Sequence, residues 1–406
     1  MKPRFMRQAV FCLLSGLLMM LCLAGKTSLA APGQVTLLKT PDGGIQPQAA
    51  MDSKGVVHLI FFKGDPQAGD LYYTRMSPGE RGFRPTLRVN SQPGSAIAIG
   101  TIRGGQIAIG KDDVVHVAWN GSGVAEPKGP GGNPMLYTRL NAAGTGFEPQ
   151  RNLITWAGGL DGGGSVAADA QGDVYVVWHA NPNKNGEANR AVYLAHSTDN
   201  GETFAKEKRI NPDPTGACSC CSLRAFVDRN HTLYVFYRAA TESVHRDMIL
   251  LTSHDKGGRF DSLLVHKWEI NACPMSSAAF AQGKDYVIMA WETREKVYFA
   301  SWFPDRKVLS PQLQALRNDG KGDPASSLFF PPGTGPTRKH PTLAINMTGA
   351  MLLAWTEGTG WNRGGSVAWQ VIDAGGNVRQ GRSEGVPAWG LLSAFARPDG
   401  SFVLLY

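Results

Sequence analysis

Four cysteines in two short segments carry the most specific chemical signal in the sequence. Cys218, Cys220 and Cys221 form a C-x-C-C run, and Cys273 begins a Cys-Pro-Met segment that ends at Met275. Thiolates and thioethers are soft ligands that favour copper or zinc, although this spacing matches no standard zinc motif. An even number of cysteines in an exported chain indicates disulfides instead. Three interpretations stay open: two disulfides that join the segments, a copper or zinc site, or free thiols with a redox role.

A second set of candidates consists of charged and aromatic residues that stand where predicted strands end. Guanidinium groups bind carboxylates, indole rings stack on sugars, and glutamates act as general acids or bases. The candidate catalytic residues are Arg103, Arg238, Glu242, Glu292, Glu357 and Arg363. The candidate substrate-binding residues are Arg246, His340 and Trp361. Taken singly, each is better explained as a surface ion pair or a strand-end side chain. Taken together, they predict a site for a carbohydrate or another small anionic ligand, with no cofactor outside the cysteine cluster.

The elements that must position these residues are β-strands. Runs of β-branched and aromatic residues, such as 114–119, 174–178 and 233–237, each follow a short apolar segment and a tight polar turn. The turns begin 51 to 65 residues apart, at Asp52, Gly110, Asp169, Asp228, Ala281, Asn346 and Arg397. A period of this length in an all-β chain is typical of a propeller. Third and fourth strand segments in each repeat predict four-stranded antiparallel blades.

The number of blades depends on how the last repeat is completed. Six repeats are nearly complete, whereas the seventh, 391–406, supplies only two strands before the chain ends. A strand at 35–38 can join this last blade and close the ring, which removes the free sheet edges. The sequence therefore predicts a single domain over 31–406 with seven blades, and six blades remain the alternative.

Two short motifs lie in register with this period. The first reads S-x-D-x-G-x-T-F and consists of Ser197, Asp199, Gly201, Thr203 and Phe204. The second lacks the threonine and consists of Ser253, Asp255, Gly257 and Phe260. Both resemble the Asp-box, or BNR repeat, of sialidases and related propellers. The resemblance implies a structural role on the turn between the third and fourth strands, on the face opposite the functional loops.

The same resemblance implies a carbohydrate-directed site, but the sequence departs from the sialidase pattern at several positions. Sialidases hold the substrate carboxylate with three arginines and use a tyrosine nucleophile that is paired with a glutamate. The strand that ends at Arg238 matches one arginine, whereas the Arg-Ile-Pro signature is absent and Ile102-Arg103-Gly104 is its nearest equivalent. These departures predict little ordinary sialidase activity. Three function classes stay open: a hydrolase or lyase for an acidic sugar, a non-catalytic glycan- or protein-binding propeller, and a metal or redox protein.

The first 30 residues predict export to the periplasm or the medium. Basic residues precede an apolar run at 9–24, and small residues follow it, as in a secretory signal peptide. No later segment is apolar enough to span a membrane. The formal charge of +8 falls to +4 once the four basic residues of this segment are removed, so the charge gives no indication of nucleic-acid binding. The sequence makes no prediction of oligomeric state.

Overall fold

The computed structural model describes residues 33–100, 103–221, 223–306, 308–310, 331 and 337–406. The predicted signal peptide, residues 1–30, lies outside the described residues. The described part contains seven sheets that follow one another along the chain, as predicted for a seven-bladed propeller. Within the described ranges, four short 3₁₀ helices lie between strands, at Pro41–Gly43, Lys111–Asp113, Glu187–Asn189 and Pro304–Arg306.

Blades 1 to 3 are antiparallel sheets whose four strands follow chain order. Blade 1 contains β2 (Ile45–Met51), β3 (Val57–Lys63), β4 (Asp70–Met76) and β5 (Leu87–Arg88). Blade 2 contains β6 (Gln106–Ile109), β7 (Val115–Asn120), β8 (Met135–Arg139) and β9 (Arg151–Asn152). Blade 3 contains β10 (Leu160–Ala168), β11 (Val174–Ala180), β12 (Ala191–Ser197) and β13 (Lys208–Arg209).

Blades 4 to 6 repeat the same arrangement. Blade 4 contains β14 (Arg224–Val227), β15 (Leu233–Arg238), β16 (Met248–Ser253) and β17 (Asp261–His266). Blade 5 contains β18 (Ala278–Gln282), β19 (Val287–Thr293), β20 (Lys296–Phe303) and β21 (Val308–Ser310). Blade 6 contains β22 (Arg338–Ile345), β23 (Met351–Glu357), β24 (Gly365–Ile372) and β25 (Val378–Ala388).

Blade 7 closes the ring with strands from both ends of the chain. It contains β26 (Ser393–Ala396), β27 (Phe402–Leu405) and, from the N-terminal side, β1 (Val35–Leu38). Strand β1 pairs with β27 in parallel, with Val35 opposite Phe402 and Leu38 opposite Leu405. The predicted closure by both termini is therefore confirmed, although this blade has three strands instead of four.

The core lies between neighbouring blades. Every residue of β11, β15 and β19 is buried because both faces of a second strand pack against other blades. This double burial explains why these strands read as continuous apolar runs instead of alternating ones. One cluster packs Tyr175 and Val177 of blade 3 against Leu233 and Val235 of blade 4.

The first strands of the blades line the propeller axis, which encloses a cavity of about 330 Å³. Arg224 of β14 crosses this cavity and donates a hydrogen bond of 2.8 Å to Oε1 of Gln48 in β2. Burial lowers the pKa of Arg224 to about 10. None of the helices in the described ranges is long and apolar enough to cross a membrane.

Both Asp-box segments lie on turns between third and fourth strands. Asp199 Oδ1 accepts hydrogen bonds from the Ser197 hydroxyl and the Thr203 N–H. Gly201 has a φ of +80°, and a Cβ atom there would stand 1.9 Å from the Tyr137 hydroxyl, so only glycine fits. Asp255 repeats these contacts with Ser253 and with the N–H of Arg259. The aspartates therefore hold turns, and the predicted structural role agrees with their contacts.

Candidate functional site

Three cysteines meet in the loop that connects blade 3 to blade 4. The sulfur of Cys218 lies 3.3 Å from that of Cys220 and 3.4 Å from that of Cys221. All three side chains are buried and form an apolar cluster with Ala240, against which Met275 and Trp361 pack. We call these three residues the thiol cluster. A tight turn, in which the N–H of Cys221 donates to the carbonyl of Cys218, brings the sulfurs together.

Within the thiol cluster, Cys221 favours the thiolate form and Cys220 favours the thiol form. Burial opposes ionisation of Cys221, but hydrogen bonds from Cys218 and Cys220 and the nearby charge of Arg238 hold its pKa well below the ordinary value. The hydrogen bonds that Cys220 makes with Cys218 and Cys221, together with burial, raise the pKa of Cys220. The cluster therefore holds one negative charge more readily than two.

Cys273 does not belong to this cluster. It is exposed, whereas the other three cysteines are buried, and all four are free thiols in the structure. The expectation that all four sulfurs meet is therefore corrected: the loop of blade 5 brings Met275, not Cys273, to the cluster. No two sulfurs of the described cysteines stand at bonding distance.

Two charged side chains of blade 3 and a backbone carbonyl of blade 4 hold the loop of the thiol cluster in place. Arg190 Nη1 donates to the carbonyl of Ala217 at 3.1 Å, and Glu187 Oε1 accepts from the N–H of Ser219 at 3.0 Å. The N–H of Cys218 donates to the carbonyl of Arg238. Burial raises the pKa of Glu187, but hydrogen bonds from Arg246 and from the Ser219 N–H outweigh it and lower the pKa. Glu187 is therefore ionised and binds both the Ser219 N–H and the Arg246 guanidinium.

Arginines and acids alternate along the same rim of the propeller. Asp161 accepts from Arg103 at 2.8 Å and from Arg190 at 2.9 Å. Glu187 lies 3.4 Å from Arg190 and 2.9 Å from Arg246. We call these five residues the arginine chain. It carries three positive and two negative charges, and Arg103, Arg190 and Arg246 each keep buried N–H donors without a partner in the described part of the chain.

One aromatic side chain completes this rim. The guanidinium of Arg103 lies over the Trp361 ring, with 5.5 Å between the guanidinium carbon and the ring centroid. Trp361 also packs against the thiol cluster. Blade 6 and the arginine chain therefore meet on the face of the propeller opposite the Asp-box turns, and we call this end of the axis the funnel mouth. The sequence-predicted residues Arg103, Arg246 and Trp361 are brought together there.

The remaining predicted arginine on this side, Arg238, lies below the rim. It is 1% exposed and donates to the Ser276 hydroxyl and to the carbonyl of Arg246. A further short hydrogen bond joins it to the carbonyl of Glu292. Its charge is thus satisfied by neutral acceptors inside the protein, which suits a structural role and not the predicted clamp on a substrate.

The three predicted catalytic glutamates differ in their surroundings and in their exposure. Glu292 is fully buried, and burial raises its pKa despite the nearby charges of Arg238 and Lys339. Glu357 is buried beside Arg338, at 3.4 Å, and accepts from the Trp355 indole. Glu242 is exposed in another loop, where it lies 3.7 Å from His245. The predicted Arg363 is exposed on the loop after β23. These positions give no facing pair of accessible carboxylates from the predicted set.

Two histidines are buried near the thiol cluster. His340 is 1% exposed, with Nδ1 3.3 Å from the Ser277 hydroxyl, so it lies beneath the rim and not in contact with solvent. Burial lowers its pKa to about 3. His179 is fully buried, and neither ring nitrogen has a hydrogen-bond partner in the described residues. Burial likewise lowers the pKa of His179 to about 3.

Sequence reasoning missed Glu187 and Arg190, which are the central members of the arginine chain. Both lie at the end of the polar loop between β11 and β12, a loop that resembles an ordinary solvent-exposed connection. The available signal was its position, because connections between second and third strands open on the funnel side of a propeller. That position marks the whole connection between β11 and β12, including Glu187 and Arg190, as a candidate region.

Comparisons with known proteins support the fold and no closer relationship. No protein-family model and no curated protein matches the chain. A Dyadobacter fermentans protein of unknown function has a similar structure, with 12% identity, a TM-score of 0.53 and coverage of 81% of this chain and 94% of that one.

Two enzymes of known structure are also similar. The Fusarium graminearum α-L-arabinofuranosidase has 12% identity and a TM-score of 0.50, with coverage of 84% of this chain and 97% of that one. A Trypanosoma rangeli sialidase has 11% identity and a TM-score of 0.49, and the match covers 79% of this chain and 54% of the sialidase. At such low identity the likeness concerns the fold alone. The comparisons therefore support the propeller fold that the repeats predicted.

Proposed function

We propose that this chain is an exported glycan-binding propeller that holds an acidic sugar at the funnel mouth. The observation that carries the proposal is the junction of Arg103, Asp161 and Trp361. It combines a guanidinium for a carboxylate, an acceptor for sugar hydroxyls and an aromatic ring within one small area. The side chain of Asp161 is 42% exposed, so its oxygens are accessible to a ligand.

The charge of the arginine chain favours an anionic ligand over a neutral one. Three guanidinium groups face only two carboxylates, which leaves one positive charge in a partly buried rim. An acidic sugar supplies the compensating negative charge beside Asp161, the exposed acid of the arginine chain.

The test is calorimetric titration of the mature chain with sialic acid and glucuronic acid. We expect both acids to bind and neutral N-acetylglucosamine to bind weakly or not at all. Arg103→Ala should reduce affinity about 10- to 100-fold, the usual effect of losing a hydrogen bond to a charged group. Arg81→Ala, an exposed arginine near the Asp-box face, is the matched control. Equal affinity for neutral sugars, or no effect of Arg103→Ala, contradicts the proposal.

Binding without ordinary sialidase chemistry is the second expected result. Most glycosidases use two accessible carboxyl groups about 5 to 10 Å apart, and sialidases use a tyrosine nucleophile that is paired with a glutamate, so either route needs an accessible carboxyl group at the site. Glu292 and Glu357 are buried, and Glu242 lies beside His245 in a separate, exposed loop. We therefore expect release of phenol from an aryl sialoside to stay close to the rate without protein. Turnover comparable with that of a sialidase control would show that other carboxylates perform the reaction.

A further inference from the structure

The thiol cluster has a chemistry that glycan binding does not use. Three thiols from four consecutive residues point to one place, and their sulfur atoms all lie within 4.8 Å of one another. The three side chains are at most 7% exposed. A buried group of three sulfurs is costly to assemble for packing alone, because small apolar residues would fill the same space without repulsion between partial charges.

The loop that carries the cluster is held as metal-binding loops are held, by a shell of hydrogen bonds around the ligands. Ala217, Cys218 and Ser219 are each fixed through a backbone atom, by Arg190, the Arg238 carbonyl and Glu187 respectively. Ligand residues of metal sites are typically oriented by such neighbours. The sulfurs are therefore preorganised before any ion arrives.

The surroundings offset the negative charge that three thiolates would bring. The guanidinium of Arg246 is close enough to interact electrostatically with Cys218 and Cys220. Arg238 does the same with Cys221, and the Ser276 hydroxyl donates to the Cys221 sulfur at 3.6 Å. Both arginines are buried, and the neutral acceptors of Arg238 leave its charge uncompensated by a carboxylate contact.

The ligand set selects the type of metal. Thiolates favour Cu(I) and zinc, and structural zinc sites almost always take four ligands. In the part of the chain that the structure describes, no histidine, carboxylate or further cysteine joins the three sulfurs within 4.8 Å. Met275, whose side chain carries a thioether, packs against the cluster. Three thiolates with an adjacent thioether suit a Cu(I) ion in trigonal coordination.

The distances permit this coordination with little movement. Three sulfurs at about 2.3 Å from a central ion in a plane lie about 4 Å apart. The observed separations of 3.3 and 3.4 Å need each sulfur to move outward by well under about 1 Å. Rotation about side-chain torsions provides such a shift without a change in the loop.

We propose that Cys218, Cys220 and Cys221 form a buried three-thiolate site for one Cu(I) ion. The proposal is independent of sugar binding at the rim, and either can fail while the other stands. Cys273 is excluded from the site, which makes it a natural internal control. Glu187 is a positioning residue here, because it acts on the loop through the Ser219 N–H and not on the ion.

The experiment is a Cu(I) titration of the reduced mature chain under nitrogen, with bathocuproine disulfonate as the competing chelator. We expect one Cu(I) per chain, a sulfur-only first shell by X-ray absorption, and a fall from four reactive thiols to one. Alkylation followed by mass spectrometry should find Cys273 modified and the other three protected. This protection pattern tests the site in the unmodified chain, so it does not depend on a variant that folds.

Substitutions distinguish the residues that bind the ion from the residues that do not. Cys220→Ser should abolish stoichiometric binding, and Cys273→Ser should bind Cu(I) as the parent does. Glu187→Gln should keep one site but lower its affinity about 10- to 100-fold. Glu202→Gln, an exposed glutamate on the Asp-box side, should leave the affinity unchanged. Circular dichroism confirms that each variant is folded.

Three results overturn the proposal. One is Cu(I) binding that survives Cys220→Ser or is lost in Cys273→Ser. Another is a reduced protein that binds one zinc ion tightly and excludes Cu(I), which would establish a zinc site. The third is a periplasmic preparation that has no free thiol before reduction and takes up no Cu(I) after it, which would establish a structural or redox disulfide instead.

Discussion

Lowering the pH from 7 to 5 is expected to cost this protein about 6 kcal/mol of folding free energy. His116, His179 and His340 are buried, and burial lowers the pKa of each to about 3 from an ordinary value of 6.5. In this pH range these histidines therefore bind protons in the unfolded chain and stay neutral in the folded chain. Each histidine contributes about 2 kcal/mol between these two pH values, and the loss begins near pH 6.5 and continues down to about pH 3.

Urea unfolding at a series of pH values measures this effect, and one substitution identifies its source. His116→Gln removes one of the three titrating groups, so the pH-dependent loss of stability should fall by about one third. His254→Gln is the matched control, because His254 is exposed. A pH dependence that is the same in His116→Gln and in the parent chain would mean that groups other than the buried histidines dominate acid unfolding.

Deleting residues 34–40 is expected to destabilise the whole ring by on the order of 5 kcal/mol. Strand β1 covers β27, whose four residues are completely buried. The deletion removes the apolar contacts of Val35 and Leu37 and the hydrogen bonds from Thr40 and Tyr406 that tie the two ends of the chain together. It also leaves a bare sheet edge, so the deleted chain should aggregate more readily.

Thermal unfolding of the deleted chain tests the role of this closure. A synthetic peptide with the sequence of residues 34–40 should restore part of the lost stability by adding the missing strand, and a scrambled peptide should not. Unfolding at the temperature of the intact mature chain would show that the blades hold together without the terminal strand. In that event the contact between blades 7 and 1, where Phe395 and Val403 pack on Phe61, would be sufficient.

The sequence predicted the blades well because their signals are local. Second strands such as β11 and β15 are buried on both faces, so each produces a continuous apolar run next to a tight turn. The Asp-box turns are also local, since Asp199 bonds to residues two and four positions away. Even the long-range pairing of β1 with β27 could be predicted, because an incomplete last blade requires a strand from elsewhere.

The site was predicted only in part because its contacts join different blades. Arg238 and Glu292 have the residue types of a catalytic pair, yet both are buried: Arg238 donates to the carbonyl of Glu292 in the next blade, and Glu292 accepts from the N–H of Glu295 in its own blade. Nothing in the sequence indicates the role of Glu187, because its partners lie elsewhere in the chain. Ser219 lies in the loop that leads to blade 4, and Arg246 lies in a loop of blade 4. Residue type alone does not distinguish an accessible guanidinium from one that is bonded to carbonyl groups.

The Arg224–Gln48 hydrogen bond connects opposite sides of the ring of blades, in addition to the contacts between neighbouring blades. It joins the first strands of blades 1 and 4, which face each other across the axis. A ring that is closed only along its perimeter can flatten into an ellipse through small slips at every blade contact, and a strut across its diameter resists that distortion. Arg103 precedes blade 2, Asp161 lies in blade 3 and Trp361 lies in blade 6, so the distances between them depend on the shape of the whole ring. The Arg224–Gln48 contact therefore opposes a widening of the ring that would move these three residues apart.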